Sequence, residues 1–286
     1  MMGAGGVGAR AGFEEIAVGF DDSERGRDAV RLAELLARTT GGRLVAVRVY
    51  PELSDPGGGV ERERLRAELD SLLGEADLDV EPLVLAGDSP ARALHELAST
   101  DRPIGLIVLG STHRAGLGRV TPGSVADRLL SGAPCPVAVA PRDYRPAELR
   151  VIAVGFDGSV EARAGLELAA RLGQLAGATL RVVAIGRPHP DPDRPRDAVP
   201  PPTGFDLQSE LHAAVSGLPA ELRALPVFQR GTPVRNLIAR AEEGVDLLVV
   251  GSRGYGPLRT VLLGSVSAAI LDRAPCPVLV TPRSAC

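Results

Sequence analysis

Short apolar runs alternate along this chain with longer stretches whose apolar residues recur every three or four positions. Ile104-Gly-Leu-Ile-Val-Leu109 and Val245-Asp-Leu-Leu-Val-Val250 are almost continuously apolar. Runs of that kind read as strands buried on both faces, the condition of a parallel sheet covered by helices. The first half predicts strands at Glu15–Phe20, Arg43–Val49, Val80–Leu85, Ile104–Leu109 and Pro136–Ala140. Between them it predicts helices at Ser23–Thr39, Val60–Leu73, Pro90–Ala98 and Ser124–Leu130. The second half repeats this order from Leu149 to Thr281. Strands joined through helices by right-handed crossovers form an open, doubly wound α/β sheet. Ligands of such sheets lie beyond the carboxyl ends of the strands.

The repetition reaches individual residues. Ile16-Ala-Val-Gly-Phe-Asp-Asp-Ser23 returns as Ile152-Ala-Val-Gly-Phe-Asp-Gly-Ser159, 136 residues on (Asp21 to Asp157). Gly110, Gly123 and Ala133-Pro-Cys-Pro-Val137 return as Gly251, Gly264 and Ala274-Pro-Cys-Pro-Val278, 141 residues on (Gly110 to Gly251). Gly87 returns as Gly231. Landmarks so evenly displaced mark a duplicated module of about 140 residues, an ordinary domain size. The expected division is a tail over 1–12, a first domain over 13–143 and a second over 148–283.

One segment carries chemistry. Gly251-Ser-Arg-Gly254, nine residues, then Gly264-Ser265 joins a predicted strand to a predicted helix beginning Val266-Ser-Ala-Ala-Ile-Leu271. Glycine at a strand end allows close backbone approach to a ligand. A helix start offers free N–H groups and the positive end of a dipole, which suit a phosphate chain. An altered copy stands earlier, Gly110-Ser-Thr-His113, nine residues, Gly123-Ser124.

Composition narrows the chemistry. All 32 basic residues are Arg, so there is no Walker-A lysine, no Schiff base and no kinase strand lysine. Phosphate must be held by amides, hydroxyls, Arg or a metal ion. A net charge of −4 and 3% aromatic residues argue against nucleic-acid partners. No window is long enough to span a bilayer, and Met1–Gly12 lacks an apolar signal core. Three cysteines build no disulfide framework, so a cytoplasmic location is expected.

Gly-x2-Gly-x9-Gly-Ser, the first-strand Phe-Asp-Gly-Ser and the closing Ala-Pro-Cys-Pro-Val-Leu-Val together resemble the universal stress protein family, over essentially the whole chain as two tandem domains. The resemblance implies a five-stranded parallel sheet of order 3-2-1-4-5 in each domain, paired through their last strands into an internal pseudo-dimer. Whether two chains then form a homodimer is left open. It also implies adenine nucleotide binding in one subgroup, whose motif this chain carries, with ATP accompanied by Mg²⁺. Carried over, Asp157 accepts ribose hydroxyls, the Ile185 backbone holds the adenine edge, and the Gly251 amide meets the ribose. Gly254, Gly264, Ser265 and Val266 supply donors to the phosphates, with Arg253 and Arg259 as neutralising charge. The corresponding first-domain positions are Asp21, Val49, Gly110, Gly123, Ser124 and Val125, but His113 stands where the second glycine belongs. Its Cβ either obstructs the loop or its imidazole donates to a phosphate.

Other signals weigh less. Gly3-Ala-Gly5-Gly-Val-Gly8 has the dinucleotide spacing without the strand and helix it needs. Asp21 and Asp157 also suit capping of the helices that follow. Cys135 and Cys276 read as small buried hydrophobes. The four histidines show no ligand spacing, so no metal site is expected, and no residue stands out as a catalytic base. The segment 187–202, with seven prolines, is expected not to pack. The reading is an adenine-nucleotide-binding regulatory protein with the second site the more intact. A nucleotide-free interaction module and a slow ATPase are the alternatives.

Overall fold

The computed structural model describes residues 12–51, 59–73, 80–112, 115–146, 148–186, 206–252 and 263–282. The first half runs β1 (Glu15–Gly19), α1 (Glu24–Thr40), β2 (Arg43–Tyr50), α2 (Val60–Leu73), β3 (Val80–Ala86), α3 (Pro90–Ala98), β4 (Ile104–Gly110), α4 (Ser124–Leu130) and β5 (Val137–Ala140). The second runs β6 (Val151–Gly155), α5 (Val160–Ala176), β7 (Thr179–Gly186), α6 (Leu207–Ser216), β8 (Ala224–Arg230), α7 (Pro233–Ala241), β9 (Leu247–Gly251), α8 (Ser265–Leu271) and β10 (Val278–Thr281). Every predicted element of the first half is present, with ends moved by a residue or so. Ser23 caps α1 rather than beginning it, its hydroxyl accepting from the Gly26 N–H. Ser159 does the same for α5 through the Ala162 N–H. Both long helices stop at a left-handed glycine, Gly41 (φ 70°) and Gly177 (φ 65°), which satisfies their last carbonyls without a Cβ clash.

The ten strands form one sheet in the order β3-β2-β1-β4-β5-β10-β9-β6-β7-β8. Each half is parallel and follows 3-2-1-4-5, while β5 and β10 meet antiparallel, Val137 opposite Val280, Ala138 opposite Leu279 and Val139 opposite Val278. The two halves therefore pair through their last strands. Because this junction is antiparallel, the carboxyl ends of the first half's strands lie along one edge of the sheet and those of the second half along the opposite edge. The outer strands close the sheet with proline: Pro82 in β3 and Pro226 in β8 offer no N–H for a further ladder.

Alternation along the strands feeds two cores. One face packs Leu32 and Leu36 of α1, Leu69 of α2, Leu166 of α5 and Leu211 of α6. The other packs Leu94 of α3, Leu129 of α4, Leu237 of α7 and Ile270 of α8. Both cores run through both halves, with Ala138 and Leu279 on one face and Val139 and Val278 on the other. Among the described residues, the first domain carries a charge network at the amino ends of its strands that the second does not repeat. Glu15, 5% exposed, takes bonds from Arg43 and Arg102, and Arg102 reaches Glu81 at 2.7 Å. Burial works against ionisation of Glu15, but the two guanidiniums outweigh it and hold its carboxyl below the usual range.

Candidate nucleotide site

The second-domain candidate is assembled from the carboxyl ends of three adjacent strands, β7, β6 and β9. Asp157 lies two residues beyond β6. One of its carboxylate oxygens accepts from the Ser159 N–H (3.0 Å) and hydroxyl (2.5 Å). Ser159 is thereby oriented to cap α5, so the capping role expected of Asp157 is exercised through its neighbour. Among the described residues none donates to the other carboxylate oxygen, and the side chain is half-buried. Gly158, between them, has φ 80°.

Ile185 occupies the next strand. The Phe156 N–H donates to the Val183 carbonyl at 2.8 Å, and the Gly231 N–H to the Gly186 carbonyl at 2.9 Å. Peptide groups alternate in direction along a strand. The backbone of Ile185 is therefore turned to the β6 side, one rung past the last hydrogen bond of that pair. Val49 has the same setting in the first domain, between Val47, which accepts from Phe20 at 2.9 Å, and Tyr50, which accepts from Gly87 at 2.9 Å.

The β9 end adds a packing duty to one expected residue and corrects the role of another. Gly251 is needed for packing: a Cβ there would lie 2.8 Å from Glu161 Cβ in the first turn of α5. Its carbonyl accepts from the Ser267 hydroxyl at 2.7 Å. Gly264 is the N-cap of α8, but its own N–H is spent on the Ser252 carbonyl at 2.7 Å, which leaves nothing for a phosphate. The first backbone bond of α8 is Ala268 N–H to Gly264 carbonyl (2.9 Å), and no side chain caps the helix. The open amides are those of Ser265, Val266 and Ser267. The Ser267 amide was not foreseen; counting three residues on from an N-cap glycine would have found it. Arg253, Gly254 and Arg259 lie outside the described residues, as do His113 and the segment 187–202.

The first-domain counterpart keeps the frame and changes the contacts. Asp21 accepts from Ser23, and its second oxygen is taken by Arg25 at 2.9 Å, a residue whose counterpart is Glu161. Asp22 replaces Gly158 at φ 53° and pairs with Arg27 at 3.2 Å. Gly110 presses on α1 more closely than Gly251 on α5, with a Cβ position 2.1 Å from the Arg25 carbonyl oxygen. Gly123 caps α4 without a side-chain bond, leaving the amides of Ser124, Val125 and Ala126 open. Ser111 fastens the loop, its hydroxyl donating to the Ala140 carbonyl (2.7 Å) and accepting from the Thr121 N–H (3.2 Å).

Cys135 and Cys276 are buried, and burial pushes both thiols up to about 12. Among the described residues no cluster of His, Cys, Asp or Glu is placed to hold a metal, and no helix is long and apolar enough to cross a membrane.

Known proteins share this organisation. The universal stress protein family model matches residues 12–141 and again 148–282. Universal stress protein Rv1996 of Mycobacterium tuberculosis is 29% identical over 301 residues, covering 93% of this chain and 94% of that protein. Universal stress protein Rv2319c of the same organism is 30% identical over 195 residues, 62% of this chain and 64% of that protein, so the match spans just under two thirds of that relative. A crystal structure of a universal stress protein from Archaeoglobus fulgidus shares the fold over 95% of this chain and 99% of its own, at 22% identity and a TM-score of 0.71.

Proposed function

The chain belongs to the universal stress protein family, and from that premise we propose that its second domain binds an adenine nucleotide, ATP with Mg²⁺, as a cytoplasmic regulatory ligand. The observation that carries the reading is Asp157. Ser159 uses one of its oxygens, and the other has no donor among the described residues. A half-buried carboxylate oxygen at the carboxyl edge of a doubly wound sheet suits the two hydroxyls of a ribose.

The neighbouring groups fit the rest of the ligand. The Ile185 backbone, beyond its last rung, offers one donor and one acceptor to an adenine edge. The Ser265, Val266 and Ser267 amides and the exposed Ser265 hydroxyl suit phosphate oxygens, with the α8 dipole in their favour. Arg253, Gly254 and Arg259 extend that phosphate-binding role in the proposal. Mg²⁺ would be held by the phosphates themselves, offsetting their charge. Among the described residues no side chain is placed as a general base, and the reading takes occupancy rather than turnover as the output. The first-domain positions Asp21, Val49, Gly110, Gly123, Ser124 and Val125 form the weaker counterpart, since Arg25 already occupies Asp21.

The test is to denature the purified protein, chromatograph what is released, and titrate stripped protein with Mg-ATP by calorimetry. One tightly bound equivalent per chain, lost in Asp157→Ala, is expected. No released nucleotide together with no heat of binding defeats the proposal. Phosphate release that disappears in Asp157→Ala would move it to a slow ATPase.

A further inference from the structure

The first-domain loop makes contacts that its own site does not explain. Arg119 donates to the Arg273 carbonyl at 2.9 Å and pairs with Glu242 at 3.1 Å, both in the second domain. The adjacent Val120, fully buried, donates its N–H to the Ala274 carbonyl at 3.0 Å. Arg273 and Ala274 lie two and three residues beyond α8, and their own N–H groups close its last turn on Ile270 at 3.0 and 2.8 Å. The loop thus supplies donors, one of them cationic, to carbonyls just past the carboxyl end of a helix, where a positive charge is favoured.

The loop is itself braced. The Arg142 N–H donates to the Arg119 carbonyl (3.0 Å), the Gly118 N–H to the Arg142 carbonyl (2.8 Å), and the Arg142 guanidinium to the Ala115 carbonyl (3.1 Å). Val120 sits in the same core as Ile270, Leu271 and Ala274. Helix α8 has seven residues, a rod of about 10 Å. A rod that short transmits a displacement from one end to the other with little bending, and its other end carries the Val266 and Ser267 amides.

We infer that Arg119 is a positioning residue for the second-domain nucleotide site: the first domain's loop fixes the far end of α8 and so aims the amides at its near end. The inference rests on the nucleotide reading for its ligand, but not for its geometry. In the full chain, Arg119→Ala should weaken Mg-ATP binding about three- to tenfold, the worth of one or two partly exposed hydrogen bonds. Arg119→Lys, which keeps the charge at the helix end, should recover part of the loss. The control is Asp28→Asn, which disturbs a different tie between α1 and the connector, the bonds from the Asp143 and Tyr144 N–H groups at 2.9 and 3.0 Å. It should leave Mg-ATP affinity unchanged. Equal loss in Arg119→Ala and Asp28→Asn, or no loss in Arg119→Ala, overturns the inference. If the unaltered protein binds no Mg-ATP, the nucleotide proposal fails, and amide exchange without ligand decides the positioning claim. Exchange at Ala268, whose N–H closes the first turn of α8 on the Gly264 carbonyl, should quicken in Arg119→Ala and not in Asp28→Asn; unchanged exchange in Arg119→Ala refutes it.

Discussion

At the end of β1, Asp21 is bonded to Ser23 and paired with Arg25, and the loop behind it is tied across to the other domain by Arg119 and Val120. At the end of β6, Asp157 holds the same bonds to Ser159 but has Glu161 at the sequence position of Arg25, and keeps one oxygen open among the described residues. The backbone frame is common to both: the serine cap, the rung-end residue Val49 or Ile185, the packing glycine Gly110 or Gly251. What differs is which partners the polar groups have. Magnitude separates the contributions. Arg25 and Asp21 have side chains 42% and 56% exposed, and a pair so exposed is worth about 1 kcal/mol or less. A nucleotide could displace Arg25 for less than about a tenfold loss of affinity. The bonds that tie the loop to α8 and to Arg142 are more numerous and partly buried, so in the proposed reading they add more than Arg25 does to the weakness of the first site.

The sharpest way to break the comparison is at the packing glycines. Gly110→Ala, with its Cβ 2.1 Å from a backbone oxygen, should cost about 3 kcal/mol or more. Gly251→Ala, 2.8 Å from a side-chain carbon, should cost about 1–3 kcal/mol. Denaturant melts that rank them the other way would mean the frames are not equivalent. Next comes Asp157→Ala, expected to weaken Mg-ATP about 30- to 100-fold through lost charged hydrogen bonds. Asp21→Ala should change it less than about twofold, and calorimetry that finds the two alike removes the asymmetry. Glu15→Gln should lower stability by roughly 2 kcal/mol, felt first in β1. Because the folded carboxyl titrates below its ordinary range, this stabilisation is present near neutrality and is lost as pH falls through the acid range. Val151 holds the corresponding place in β6, so amide protection of β1 should fade before that of β6 on acidification. A smaller contrast is expected from Arg25→Ala. Placed in an Asp157→Ala background, it should raise any first-domain Mg-ATP binding by no more than about fivefold. A tight site appearing there would show that Arg25, not the tied loop, closes the first domain. No contrast at all is expected between Cys135 and Cys276. Each thiol is held neutral to about 12 by burial, so each favours the fold below pH 9 and ceases to as pH climbs towards 12. Thiol labelling against pH that separates them would reveal unequal cores.

Much of this was legible in the chain. Buried strands announce themselves as unbroken apolar runs, and the near-constant offset between copies gives the duplication and the strand order through the family it resembles. The open edge with Asp157 and the α8 start was legible too. The packing duty of Gly251 and the spent N–H of Gly264 were not legible, because a glycine in a loop motif looks the same whether a ligand, a helix or a carbonyl needs the space. The Asp21–Arg25 pair had a visible sign, an Asp and an Arg four residues apart where the second copy has Asp and Glu. Arg119 had none. Its partners Arg273 and Glu242 are brought to it by the antiparallel junction, and spacing within one copy says nothing about the other.

That junction has a further property. Ala138 and Leu279 are the same position of the two copies, 141 apart like Gly110 and Gly251, so they face each other on the approximate rotation axis, with valine opposite valine on either side. Two identical chains meeting there would have to set the same residue against itself, a pair of leucines that crowd or a pair of alanines that leave a hollow. Fusion lifts that restriction, and a large residue takes the room its small twin gives up. The tether also keeps the halves at an effective concentration on the order of millimolar, so a seam of three rungs need not survive dilution. Assembly no longer depends on the halves being alike, and one of them can lose its ligand without losing its partner.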